Sequence, residues 1–185
     1  MKYSCIVVFG FIGLLVQNSF AQSNRNTPQI EHIDTKKQVI DERVVTFVGP
    51  ERLKIIQNAD SVLVYELNPD DSLRRQSSEF LEGFFITKKP QKLINAEKSA
   101  IESTIIQAKT YDFGGVFQLC AFSPTVAFEF YFQGKTVRLL LCFFCNDLMF
   151  FDANGRTSGK SFEKSRNELK LLVNRILNPK KNRSK

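Results

Sequence analysis

The chain has 185 residues and a formal net charge of +7, with 43% hydrophobic residues, one histidine and no tryptophan. That length and apolar fraction suit one globular domain with a core of its own and exclude a disordered or collagen-like chain. The charge does not point to nucleic acid: without Lys2 it is +6, and Lys180, Lys181, Arg183 and Lys185 supply four of those charges after Asn178-Pro179. The excess is a solvated tail and not a basic face, so no nucleic-acid partner is expected.

The N-terminus reads as an export leader. Lys2 gives a positive n-region, Cys5 to Val16 an apolar h-region, and Ser19-Phe20-Ala21 places small residues where a signal peptidase reads. Cleavage after Ala21 is expected, which makes residues 1–21 a signal peptide. The apolar run is shorter than the ~20 residues of a spanning helix, and Gln17 and Asn18 interrupt it. No transmembrane segment is therefore expected in the mature chain. Cys5 stands before the h-region rather than at the cleavage point, which argues against a lipid anchor. The expected location is periplasmic or extracellular.

Residues 22–37 are polar, aperiodic and poor in aromatics, a flexible lead-in. One α+β domain is expected over residues 38–178, followed by a basic tail at 179–185. Gln38 to Val48 has strand-like character. Gly49-Pro50 then opens a short helix over Glu51 to Gln57, with Pro at its first position and Asn58-Ala59-Asp60 as its end. Ser61 to Leu67 predicts an interior strand, with Val62 and Val64 on one face and Leu63, Tyr65 and Leu67 on the other. Asn68 to Gln76 reads as a surface loop, and Gly83 to Lys88 as a strand.

From Leu93 to Ala108, apolar residues recur at three and four, which predicts an amphipathic helix over about 91–109. Tyr111-Asp112-Phe113-Gly114-Gly115 ends it. A Phe-rich antiparallel meander is expected over about 116–152, with hairpins near Pro124 and Gly134. One of its strands, Val126 to Gln133, alternates with period two and should be half-buried, with Glu129 outward. Thr136 to Phe144 is apolar on both faces except at Arg138 and should lie centrally. A closing helix over about 161–178 carries the stripe Leu169, Leu172, Val173 and Ile176, with Ser161 as cap and Asn178-Pro179 as stop.

Beyond the leader the chain keeps three cysteines, Cys120, Cys142 and Cys145, all in the Phe-rich region. In an unbroken strand, residues three apart face opposite ways, so Cys142 and Cys145 diverge unless a turn intervenes. Asn146 can take the left-handed conformation such a turn needs. With hairpins at Pro124 and Gly134, Cys120 and Cys142 share a face two strands apart, roughly 10 Å and beyond disulfide reach. Three readings stay open. The cysteines are core residues with at most one bridge; or Cys120, Cys142 and Cys145 hold a metal, zinc being the candidate, with His32, Asp112, Asp147 or Glu129 as a fourth ligand; or Cys142 and Cys145 form a redox pair, without the helix N-terminus that activates such thiols.

Two further patterns carry less. Gly155-Arg156-Thr157-Ser158-Gly159-Lys160-Ser161 follows a strand and opens a helix as a phosphate-binding loop does, but has three residues between its glycines where four are needed. Asp152, Asn154 and Gly155 resemble the start of a calcium loop that lacks its later acidic ligands. His32 is the one histidine, so a Ser/His/Asp or Cys/His arrangement has no base.

Cys120-Ala121-Phe122-Ser123-Pro124 and Cys142-Phe143-Phe144-Cys145 resemble the Cys-x-Phe-x-Pro and Cys-Phe-x-Cys pattern of uncharacterised exported bacterial proteins. The likeness spans about residues 60–178 and implies the same order of helices around the sheet; it brings no activity. The expected function is an exported, non-enzymatic globular protein with a binding or envelope role and no cofactor. The alternative is a thiol-based metal or redox protein, and a third possibility is a hydrolase built on two converging carboxylates.

Overall fold

A computed structural model of the chain describes residues 39–69, 79–114 and 120–179. The fold is α+β: among the described residues, four helices and a nine-stranded antiparallel sheet. Helices α1 (Glu42–Val48) and α2 (Pro50–Gln57) come first. The described part of the expected strand, Val39 to Val48, is thus not the strand that its valines suggest. The Asp41 carboxylate accepts the Arg43 N–H at 2.9 Å and caps α1, which lets Val44 and Val48, one turn apart, face the core together. Gly49, at φ +92°, breaks the helical path, and Pro50 begins α2 where its missing N–H costs nothing.

Strand β1 (Ser61–Asn68) is interior. One edge pairs with β5 (Val126–Phe132), and the other is shared by β3 (Phe84–Ile86) and β4 (Gln91–Lys92) at its two ends. β2 (Phe80–Leu81) forms a hairpin with β3. The loop expected at 68–76 lies mostly outside the described residues. Helix α3 runs Asn95–Ile105, shorter than the 91–109 expected: Gln91 and Lys92 join the sheet, and Ala108–Thr110 is a 3-10 turn. Its start is set by Glu97, whose Oε2 accepts the Ile94 N–H at 3.2 Å.

β5 turns back into β6 (Lys135–Cys142) through Gln133 and Gly134, both at positive φ. β6 pairs with β7 (Asp147–Asp152), and β7's free edge is covered by β8 (Gly155–Arg156) and β9 (Lys160–Ser161). The meander therefore starts at Val126. The strand expected before Pro124 is absent from residues 120–125, and residues 115–119 lie outside the described residues. Helix α4 is Arg166–Leu177, with Leu169, Val173 and Ile176 buried as the stripe requires and Asn178 ending it. Ser161 does not cap it. That residue belongs to β9, and its hydroxyl accepts the Glu163 N–H at 3.2 Å, opening a 3-10 turn before α4.

The pleat sorts the sheet's side chains into two layers. Val62, Phe130 and Val137 stand in one rank and Val64, Phe128, Leu139 and Phe150 in the next, all facing the four helices. The opposite face carries Tyr65, Leu67, Ala127 and Leu140, covered by Leu81, Phe84 and Phe122. No helix among the described residues is long and apolar enough to cross a membrane.

Candidate functional site

Two of the three cysteines are bridged, and the third lies beside one of them. β6 ends at Cys142, and Asn146 at φ +58° closes the four-residue turn into β7. That turn carries Cys145 onto Cys120, and the two are bridged, with S–S 2.05 Å and Cα–Cα 6.0 Å. Cys142 is free and buried, and its Sγ accepts the Cys145 N–H at 3.3 Å. The bridge takes two of the three thiolates that a three-sulfur zinc centre would need. Among the described residues no three of His, Cys, Asp and Glu group around one point. The suggested fourth ligands are scattered: Asp112 is bound by Lys164 at 3.2 Å, Asp147 opens β7, and Glu129 belongs to a separate network. His32 lies outside the described residues. The Gly155–Ser161 segment forms β8, a connection and β9, so no helix opens on it and the phosphate-loop geometry is absent.

Glu129 is 2% exposed, not outward as the alternation suggests. It stands opposite Leu63 on β1 and Arg138 on β6. Its Oε1 accepts the Arg138 Nε–H at 2.6 Å, and its Oε2 accepts the Tyr65 hydroxyl at 2.5 Å and the Tyr131 hydroxyl. Arg138 also reaches Glu82, in the β2–β3 turn, at 2.7 Å. Burial alone pushes the Glu129 carboxyl up, but the two phenols and the guanidinium outweigh it and hold the group below the ordinary glutamate value. Burial and then the bond to Glu129 push both phenols up. An ionised, fully occupied carboxylate and two firmly protonated phenols make poor acid–base catalysts at neutral pH. The cluster is a cross-strand lock between β1, β5 and β6.

The site with room for a ligand lies on the helix side. An open groove of about 720 Å³ runs between α1 and the β8–β9 connection, lined by Arg43, Phe47, Arg52, Phe113, Ser158 and Lys160 among others. Its walls are pinned. Arg52 forks onto Asp152, with Nε–Oδ2 at 2.9 Å and a second contact at 3.2 Å, and donates to Val48 O at 3.2 Å, tying α2 to the end of β7. The Thr157 N–H donates to Phe150 O at 2.9 Å, and the Asp112 N–H to Ser161 O at 2.7 Å. Phe47 packs edge-on against Tyr111 at 5.4 Å and Phe150 at 5.9 Å. Lys160 Nζ lies 5.7 Å from the Phe47 ring centre and 5.5 Å from that of Phe113, and the Arg43 guanidinium sits 5.1 Å over Phe113. Arg43 is held by Asp41 at 2.7 Å. Among the described residues, Lys160 has no carboxylate at ion-pair distance.

A second cleft of about 550 Å³ is lined by Glu51, Ile55, Lys135, Arg138, Asp152 and Asn154 among others. Its two carboxylates are both engaged, Glu51 with Lys135 at 3.9 Å and Asp152 with Arg52, so it offers no pair of free acids. Sequence reasoning missed the first groove because its walls come from three distant stretches; the one local signal was the polar run Thr157-Ser158-Gly159-Lys160. No family model matches the chain, and neither do any curated proteins or solved structures.

Proposed function

We propose that the chain is an exported, non-enzymatic binding protein whose ligand enters the groove between Phe47, Phe113 and Lys160. The observation that carries this reading is the groove itself: about 720 Å³, with two aromatic faces, polar groups at its wall and a half-buried lysine without a counter-ion among the described residues. Ligand sites are typically concave and part-apolar, with a few polar groups that orient the guest. Binding is favoured over turnover because the Ser158 hydroxyl has no hydrogen-bonded base among the described residues. Export is supported by the Cys120–Cys145 bridge, since disulfides persist in oxidising compartments, together with the leader read at residues 1–21 and the resemblance of the cysteine pattern to that of exported bacterial proteins.

The test is amide-shift mapping of the ¹⁵N-labelled chain from Gln22 onward against a panel of aromatic fragments. Shifts clustered at Phe47, Phe113, Ser158 and Lys160 support the reading. A substrate turned over, with turnover lost on one point substitution in this groove, contradicts it. The thiol-based alternative rests on Cys142, whose sulfur contacts Cys145 beside the bridge. It applies to the reduced chain, where three thiolates are available to zinc. Absence of stoichiometric zinc binding to the reduced protein removes it.

A further inference from the structure

We infer that the groove takes a small monoanion, a carboxylate carried on a flat apolar body, with Lys160 as its counter-ion. This rests on the reading of the groove as a binding site. Among the described residues, the other cations at the wall are committed within the chain: Arg43 to Asp41 at 2.7 Å and Arg52 to Asp152 at 2.9 Å. The Lys160 ammonium, by contrast, has only ring faces as its partners among the described residues, at 5.5 and 5.7 Å. It is half-buried on β9, so part of its hydration is already lost, and aromatic faces replace only part of that. A carboxylate oxygen on the ammonium restores the missing partner through a charge-assisted bond.

The neighbours fix the rest of the ligand. Ser158, exposed and at the same wall, has a hydroxyl with no partner among the described residues, available to donate to the second carboxylate oxygen. Phe47 and Phe113 give the body of the guest apolar and aromatic surface, held at fixed angles by the Tyr111 and Phe150 packing. Glu42, exposed at the rim, opposes a polyanion. A volume of about 720 Å³ suits one small molecule.

The probes are 2-naphthoate, its uncharged counterpart 2-naphthalenemethanol, and acetate, each titrated into the ¹⁵N-labelled chain from Gln22 onward. The carboxylate is expected to shift the amides of Phe47, Phe113, Ser158 and Lys160 and to bind about tenfold more tightly than the alcohol. Acetate, with no body to bury, should bind more weakly than naphthoate. Added salt should weaken the carboxylate and leave the alcohol unchanged, a readout that needs no variant. Lys160→Gln should remove the preference for the carboxylate, whereas Phe113→Leu should weaken both naphthyl compounds. If the alcohol binds the groove as tightly as the carboxylate, or the preference survives in Lys160→Gln, the anion inference falls and the binding groove stands. If neither compound shifts groove amides, both fall.

Discussion

Glu129→Gln isolates the worth of the buried charge, because it keeps the shape of the side chain and removes only its ionisation. The carboxylate accepts three bonds, from Arg138, Tyr65 and Tyr131, at 2% exposure. A bond to an ionised acceptor is worth about 1 kcal/mol more than its neutral counterpart. Two of the three donors are phenols whose hydroxyls can turn to accept from the new amide, so no group is stranded. The Arg138 share is discounted, since its side chain is 33% exposed and it keeps Glu82. The expected loss is about 2–3 kcal/mol at pH 7, read from urea unfolding midpoints at constant m-value. Glu129→Ala, which leaves all three donors facing a void, should cost more, about 3–5 kcal/mol. The pH dependence has a definite sign. Because the folded Glu129 lies below the ordinary 4.5, its contribution is complete above that value and is lost as pH falls through the folded pKa. The gap between wild type and Glu129→Gln should therefore narrow under acid. A gap within about 0.5 kcal/mol at pH 7, or one that widens on acidification, refutes the reasoning.

Asp147, the cysteines and Gln133 each give further outcomes. Asp147 is 7% exposed and burial raises its carboxyl, so its ionised form costs folded stability above the folded pKa and acid relieves that cost. Asp147→Asn should raise the melting temperature, by about 1 kcal/mol in stability at pH 7, with an advantage that shrinks as pH falls. In the chain from Gln22 onward, thiol labelling should find no reactive cysteine in the native state and one after denaturation. Cys145→Ser should cost about 3–4 kcal/mol in urea unfolding through the lost 25-residue closure, while Cys142→Ala costs about 1 kcal/mol for its buried sulfur. Gln133, at φ +48° in the β5–β6 turn, strains a long side chain where Asn-Gly is preferred. Gln133→Asn should stabilise by about 0.5 kcal/mol in the same assay.

Local physics made much of the framework legible. The two-faced apolar pattern of β1, the proline opening α2, the Gln133-Gly134 turn, the left-handed Asn146 and the stripe of α4 each depend on near neighbours in sequence. What stayed hidden depended on distant ones. The valines of α1 resemble a strand until the Asp41 cap is weighed. Glu129 looks outward along its own strand, yet it and Arg138 lie four residues out on either side of the Gln133-Gly134 turn, a register that pairs them. The Cys120–Cys145 bridge needed both the turn at Asn146 and an irregular path through residues 120–125, where a regular meander keeps the sulfurs apart. The groove was the least readable feature, because Phe47, Phe113 and Lys160 have no common period and meet only after α1 and β9 dock on the core.

The most direct test of the binding account is an experimental structure of the protein with 2-naphthoate. The account predicts a carboxylate oxygen within hydrogen-bonding distance of Lys160 Nζ and the naphthyl ring against Phe47 and Phe113. A naphthoate bound elsewhere on the molecule, or seated in the groove with its carboxylate turned away from Lys160, contradicts it.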